Sequence, residues 1–166
     1  VAKNAGRIIE FSEQPDFPYS IVDMSSVYEG QADSVKRGVA LLPTNEVLIQ
    51  DELTGLKPNA KVRWGMITPA DPGDIDNSII ELSQNGETLR LTKIAPKDSP
   101  GWTIINTSKP RNEWDSPNRG TCMIALKETA LQDGKLTITV LITPVSAKES
   151  EKSTWEQIPL KNWSEQ

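Results

Sequence analysis

The chain has 166 residues and a formal net charge of −5, with 36% hydrophobic and 25% charged residues, one cysteine and no histidine. This size allows a single domain with a real apolar core, because a compact chain of about 150 residues buries roughly 70% of its unfolded surface. The acidic balance disfavours a nucleic-acid partner, which requires clustered Lys and Arg, and a single cysteine excludes an internal disulfide.

Short apolar runs rich in branched aliphatic residues predict ten β-strands. The predicted strands cover residues 7–11, 19–24, 35–42, 46–53, 60–68, 78–84, 88–94, 101–106, 120–128 and 135–143. A short helical turn is predicted over residues 23–31, where Asp or Ser can provide the N-cap. Strands at a spacing of about 8–12 residues predict an all-β fold, an antiparallel two-sheet β-sandwich of about ten or more strands.

Turn residues separate these runs. A Pro-Thr-Asn turn over 43–45 joins two strands into a predicted hairpin, and Asn85-Gly86 is the strongest hairpin signal in the chain. Asp133-Gly134 predicts a similar turn. The stretch 69–74 contains two prolines and is predicted to be a loop, since proline cannot continue a strand ladder.

The last predicted strand alternates most regularly. Leu136, Ile138, Val140 and Ile142 share one face, and Leu141 interrupts the threonines of the other face. The strand is therefore predicted to be covered on both faces at its C-terminal end. The sandwich domain is assigned to residues 1–144, and residues 145–166 to a closing strand or partly ordered tail that tryptophans anchor.

Several side chains in the sequence belong to reactive types. Cys122 lies in an apolar strand without a histidine to activate it, so a structural role is expected. Asp51 and Glu52 are adjacent on a strand and point to opposite faces, so they cannot act as paired carboxylates. Arg37 and Arg63, within strands, are expected to face solvent or to pair with a carboxylate.

The acidic run Asp71, Asp74 and Asp76 has carboxylates that calcium accepts as ligands. The run lacks the spacing of an EF-hand loop and its terminal Glu, and a solvated turn is the expectation. No metal site and no cofactor are predicted. Carboxylates of this kind can bind calcium, but no feature of the sequence supports a calcium site.

In order along the chain, several segments resemble the C-terminal β-sandwich domain of heparinase II/III-like polysaccharide lyases. They are AGRIIEF (5–11), YSIVDMSSVY (19–28), KRGVALL (36–42), VLIQDEL (47–53), WGMIT (64–68), NEWDSPNRGT (112–121) and LTITVLITP (136–144).

The resemblance implies an α/α toroid upstream in the same polypeptide, which supplies the acid and base of the lyase, usually Tyr and His. The sandwich packs against that toroid and edges the glycan cleft. This chain departs from the pattern because it has no histidine, and Ile67 stands where the family often has one. No catalytic residue is therefore predicted here, although the parent protein is expected to be a polysaccharide lyase in the periplasm or outside the cell.

A sandwich of this kind is expected to expose an apolar patch where its partner domain docks, or to form a dimer that hides the patch. The candidates for contact with an acidic polysaccharide surround the loop 107–118, where cations and aromatic rings are close in sequence. They are Trp102, Lys109, Arg111, Trp114 and Arg119. Trp64, inside a strand, is predicted to be core. The alternative function is an independent carbohydrate-binding or cell-surface interaction module.

Overall fold

The computed structural model describes residues 4–109, 113, 116–145 and 155–166. Over these ranges it has eleven β-strands and two short 3-10 helices. Neither helix in these ranges is long and apolar enough to cross a membrane. The strands are β1 (Arg7–Ser12), β2 (Tyr19–Asp23), β3 (Ser34–Leu41), β4 (Val47–Thr54), β5 (Lys61–Thr68), β6 (Asp71–Ile75), β7 (Ile79–Gln84), β8 (Glu87–Ala95), β9 (Thr103–Asn106), β10 (Cys122–Thr129) and β11 (Leu136–Pro144). The helices are Ser25–Tyr28 and Leu160–Glu165.

The strands form two antiparallel sheets, which confirms the predicted all-β sandwich. The large sheet has eight strands in the order β1-β2-β3-β4-β11-β8-β7-β6, and the small sheet has three in the order β5-β10-β9. The first 3-10 helix lies within the predicted turn at 23–31 and connects β2 to β3.

The main core lies between the two sheets. Ile138 and Val140 of β11 are buried there against Ile124 and Leu126 of β10, together with Trp64 of β5. Each fully buried aliphatic side chain contributes about 1.5–3 kcal/mol relative to an exposed one. The prediction that Trp64 is a core residue is confirmed.

A second core covers the opposite face of the large sheet. Leu141 of β11 and Leu48 of β4 pack there with Leu160 and Trp163 of the C-terminal 3-10 helix. Phe17 lies between the rings of Trp155 and Trp163, at centroid distances of 5.5 Å from each. β11 is buried on both faces from Ile138 to Leu141, at the centre of the strand, whereas its C-terminal end, where the cover was predicted, is half-buried to exposed. The described part of the tail, residues 155–166, is a packed 3-10 segment with no strand.

Two polar side chains of β4, buried Gln50 and half-buried Glu52, bind this C-terminal segment to the sheet. Gln50 is fully buried, and its Nε2 donates to the carbonyl oxygen of Ile158 at 2.7 Å. Glu52 Oε1 accepts from the Leu160 backbone N–H at 2.8 Å. Because the Gln50 amide would otherwise be buried without a partner, its bond fixes the position of the segment along β4, and the Glu52 bond adds to this.

Two predicted hairpins are confirmed. Asn85 and Gly86 adopt φ values of 54° and 84° and join β7 to β8, which pair from Ile79 to Gln84. The two positive φ values explain why Asn-Gly is favoured at this turn. In the β3–β4 hairpin Asn45 adopts a φ of 62°, and Leu41 pairs with Val47.

Two local predictions are wrong. The stretch predicted to be a loop contains β6, where Pro72 pairs with Leu82 of β7. β6 is the edge of the large sheet, and an edge strand tolerates proline because one side of its backbone needs no ladder partner. The Asp133-Gly134 turn does not form a hairpin, since it connects β10 of the small sheet to β11 of the large sheet.

Gly38 of β3 provides a test of the C-terminal packing. A Cβ atom at this position would lie 2.4 Å from Leu160 Cδ2 and 2.6 Å from the Trp163 ring. We therefore expect Gly38→Ala to lower the free energy of unfolding by about 1–3 kcal/mol through overpacking, measured by urea denaturation.

Gly73→Ala on β6 is the matched control, because its Cβ would make only ordinary contacts with Glu81. The penalty of Gly38→Ala should shrink in a Leu160→Ala background, since the two sites share one contact. Strictly additive effects would contradict the packing of Leu160 on Gly38.

Candidate functional site

The loop chosen from the sequence connects β9 to β10 at one end of the small sheet. Its base is closed by hydrogen bonds of Thr107 Oγ1, which lies 2.6 Å from the Thr121 carbonyl oxygen. Lys109 and Arg119 are exposed. Arg111 and Trp114 lie outside the described residues. The structure thus brings two of the predicted cations to the surface near this loop.

Trp102 lies in the main core. Its side chain is only 6% exposed, its Nε1 donates to the Ser78 carbonyl oxygen at 3.0 Å, and its ring meets that of Trp64 edge to face at 5.8 Å. A sugar needs an open ring face for stacking, and the structure does not present one here. Trp102 is close to the loop in sequence, but closeness in sequence does not determine burial, and the prediction of a glycan contact at Trp102 is wrong.

A different surface stands out on the large sheet. Four exposed apolar side chains, Ile8 and Phe11 of β1 with Val39 and Leu41 of β3, lie on one face, and we call them the apolar shelf. Phe11 is 67% exposed and Ile8 is 61% exposed. Clustered apolar exposure of this kind typically marks an interaction surface.

Strand register places the shelf on the same face as the main core. Phe11 is opposite Ser20, Ser20 is opposite Val39, and Val39 is opposite Ile49 of β4. Ile49 in turn pairs with Val140, which is buried under the small sheet. The main core between the sheets includes residues of β7, β8 and β11 and reaches Val35 of β3 and Leu53 of β4. Ile8, Phe11, Val39 and Leu41 lie on the same face and are exposed, so the shelf is the uncovered continuation of the core.

A cavity of about 250 Å³ lies beside the shelf, between the first 3-10 helix, β3, β4 and the edge strand β5. Core side chains, Val35, Leu53 and Ile138, line its interior. Tyr28, which is 41% exposed, lines it from the helix side. The cavity therefore lies where the cover provided by the small sheet ends.

An ion pair lines this cavity. Arg37 Nε and Nη2 donate to Asp51 Oδ1 and Oδ2 at 2.7 Å each, and the two residues are direct cross-strand partners. The hydrogen-bonded carboxylate raises the pKa of the Arg37 guanidinium, against the opposing effect of burial. The expectation that Arg37 would pair with a carboxylate agrees with this geometry, and Glu52 points to the opposite face.

A second buried polar cluster joins β8 to β10. Lys93 Nζ donates to Ser99 Oγ, to the Ser99 carbonyl oxygen and to the Pro100 carbonyl oxygen, at 2.8, 2.8 and 3.1 Å. Ser99 Oγ donates to Glu128 Oε1 at 2.9 Å. Lys93 uses three ammonium donors and has no lone pair to accept the serine proton. The cluster fastens the β8–β9 connection and does not resemble a serine–lysine nucleophile.

Cys122 and the acidic run at residues 71–76 show no reactive arrangement. Burial raises the pKa of the half-buried Cys122 thiol, and the charge of Asp71 raises it further, which disfavours the thiolate. Asp71, Asp74 and Asp76 are all exposed. Across the described ranges, no group of three or more His, Cys, Asp or Glu side chains is arranged to hold a metal ion.

The shelf and the cavity were not located by the sequence. Arg37 and Asp51 were noted separately, and a docking patch was expected without a position for it. The signal that could have joined them is the β3–β4 hairpin, because pairing Leu41 with Val47 places Arg37 opposite Asp51.

The likeness to known proteins is found in the fold. No protein-family model and no curated protein sequence matches this chain. Among solved structures, the heparan sulfate lyase HepC from Pedobacter heparinus matches with a TM-score of 0.64 and 10% identity over 87% of this chain. A heparinase III structure matches with a TM-score of 0.61 and 15% identity over 85%, and the heparinase III BT4657 gene product with 0.57 and 16% over 84%.

At these identities the likeness establishes a shared fold. This chain covers 22% of the HepC chain and 21% of the two heparinase III chains, about a fifth of their length. The fold of this chain is therefore that of one part of a heparinase III-type lyase, as the resemblance in the sequence implies.

Two arginine–carboxylate pairs differ in burial and so form a matched test. Asp51 is 7% exposed beside Arg37, whereas Glu81 is 41% exposed beside Arg90. We expect Asp51→Asn to lower the free energy of unfolding by about 1–3 kcal/mol, because it weakens a bidentate pair whose carboxylate is buried. Glu81→Gln should change it by less than about 1 kcal/mol. Equal losses in urea denaturation would contradict the difference in burial.

Glu128 predicts a pH dependence. Burial raises the pKa of its carboxyl above the ordinary value of 4.5, although Ser99 and Lys93 act in the opposite direction. The folded state therefore binds this proton more tightly than the unfolded state, and the associated stability is lost as the pH rises through the folded pKa.

The stability of the natural chain relative to Glu128→Gln should thus fall as the pH increases from about 4 towards neutrality. Urea midpoints of both proteins across this range measure the effect. A difference that grows with pH would show instead that Lys93 dominates and lowers the pKa of Glu128.

Proposed function

We propose that this chain is a non-catalytic accessory β-sandwich domain of a heparinase II/III-like polysaccharide lyase in the periplasm or outside the cell. It supports an upstream α/α-toroid catalytic domain of the same polypeptide and edges the glycan cleft. The observation that carries the proposal is the match of 87% of this chain to about a fifth of a heparan sulfate lyase.

The apolar shelf supports the docking role. It extends the main core onto an open part of the large sheet, so a partner domain would cover it without any rearrangement of the strands. Ile8, Phe11, Val39 and Leu41 would each lose water-accessible apolar area on docking, which favours association by about 25 cal/mol per Å².

The chemistry of the chain supports a non-catalytic role. A lyase must remove the proton beside the uronate carboxylate and protonate the leaving oxygen, which needs a positioned base and acid. The chain has no histidine. The buried titratable side chains described above, Lys93 and Glu128, are engaged in hydrogen bonds that hold loops. The acid and base of the parent enzyme would come from the toroid.

Lys109 and Arg119 support the proposed position beside a glycan. Both are exposed cations near the β9–β10 loop, and cations pair with the carboxylate and sulfate groups of acidic polysaccharides. With Trp102 in the core, this contact would rely on charge. Because Trp102 is buried, it cannot stack on a sugar, and it gives no support to an independent carbohydrate-binding module.

The test uses the whole polypeptide that contains this chain. Phe11→Ser and Val39→Thr on the shelf should lower its thermal stability and its turnover of heparan sulfate, because the toroid loses apolar contacts with the sandwich. Ile104→Thr on the small sheet is the matched control, since Ile104 is 40% exposed and Val39 is 38% exposed. Unsaturated uronate formation, followed by ultraviolet absorbance, measures turnover.

The isolated chain provides the complementary measurement. It should bind a hydrophobic dye at the shelf, lose dye emission on Phe11→Ser, and form no unsaturated uronate. Turnover by the isolated chain, or shelf variants that behave like Ile104→Thr in the whole polypeptide, would overturn the accessory role.

A further inference from the structure

The outer face of the small sheet, which points away from the main core, carries three cations. They are Lys61 and Arg63 of β5 and Lys127 of β10, and we call them the basic strip. We propose that the basic strip binds an acidic polysaccharide through sulfate or carboxylate groups along the polymer. This surface is distinct from the β9–β10 loop and from the apolar shelf, and binding here does not depend on the accessory role.

Strand register places the three cations together. Trp64 and Leu126 are opposite each other and buried in the main core, so the residues that precede and follow them point outward. Arg63 is directly opposite Lys127, and the Cβ atoms of such pairs are about 4.5–5.5 Å apart. Lys61 is on the same face as Arg63, about 6.5 Å away along β5. All three side chains are exposed.

Two strand arginines of the large sheet are paired differently. Arg37 is opposite Asp51 and Arg90 is opposite Glu81, and each forms an ion pair there. In the basic strip two cations are opposite each other, and the strand residues of this face, all of which the structure describes, include no carboxylate. None of the three cations forms an ion pair within the described part of the chain. Like charges directly opposite destabilise a sheet, so an anion bound between them would relieve a repulsion that the fold leaves in place.

The exposure of the basic strip favours a polymer with repeated anionic groups. One exposed ion pair contributes little in water, so binding requires several contacts that act together along one ligand. Lys61 Nζ donates one of its three hydrogens to Thr129 Oγ1 at 2.9 Å and keeps the other two for a ligand. A polymer that carries an acidic group on successive sugars supplies such contacts.

A nucleic acid, the other common polyanion, fits this face less well. The strand residues of the outer face include no aromatic ring on which a base could stack. The chain as a whole has a net charge of −5, which opposes the approach of a phosphate backbone of high charge density. The acidic groups of a polysaccharide are more widely spaced, and three clustered cations are enough to hold a few of them.

Isothermal titration calorimetry of the chain with oligosaccharides of one length is the test. A heparin oligosaccharide carries sulfate and carboxylate groups, a hyaluronan oligosaccharide carries carboxylates alone, and a maltodextrin is the neutral control. We expect the heparin oligosaccharide to bind saturably, with an affinity that falls as salt is added, because exposed charges are screened. The maltodextrin should not bind. The hyaluronan titration shows whether carboxylates alone are sufficient.

Arg63→Gln combined with Lys127→Gln should weaken heparin binding about tenfold or more, because two charge-assisted contacts are lost. Arg7→Gln combined with Lys161→Gln is the matched control, since it removes one exposed arginine and one exposed lysine outside the small sheet. The first double variant should melt at the same temperature as the natural chain or higher, because it removes a repulsion. Its weaker binding would then not arise from unfolding.

Four results would overturn the site: no saturable binding of the heparin oligosaccharide, equal binding of the maltodextrin, a DNA oligonucleotide bound as tightly as heparin, or an equal effect of the two double variants. Binding that survives the loss of Arg63 and Lys127 would assign the glycan to the β9–β10 loop instead. Dye binding at the shelf and lyase turnover are read separately, so failure here leaves the proposed accessory role to its own test.

Discussion

The large sheet has two apolar faces at its centre, and this constraint organises the molecule. β11 alternates so that Ile138 and Val140 face one side while Leu141 faces the other, and all three are buried. A sheet with one apolar face needs one cover, whereas this sheet needs two. The small sheet provides the first cover, and the C-terminal segment with Leu160 and Trp163 provides the second.

Both covers combine apolar contact with directional bonds. The small sheet packs across the main core, and Ser99 links Lys93 of β8 to Glu128 of β10. The C-terminal segment is bound at its backbone, because Gln50 and Glu52 bond to Ile158 and Leu160. Gly38 leaves the space into which Leu160 and Trp163 fit. These contacts give the C-terminal segment a defined position on the large sheet, although it contains no strand.

The small sheet covers only part of the large sheet, and this links the fold to the proposed function. Three strands cannot cover eight, so the core face of the large sheet remains exposed at Ile8 and Phe11 of β1 and at Val39 and Leu41 of β3, which form the apolar shelf. The cavity lies at the edge of β5, where the cover stops. A domain that buttresses another needs an open apolar face, and the shelf is such a face. The buried charges elsewhere hold loops in place.

The sequence by itself determined the strands, the Asn-Gly hairpin and the two-sided burial of β11, because side-chain alternation and turn residues act over a few neighbouring positions. It failed at β6, since a proline disfavours a strand only if that strand has neighbours on both sides. It placed Trp102 beside a surface loop, whereas packing against Trp64 buries it. Which strands share a sheet, which apolar residues stay uncovered and how Arg37 meets Asp51 beside a cavity depend on contacts between residues far apart in the chain, and only the tertiary structure decided them.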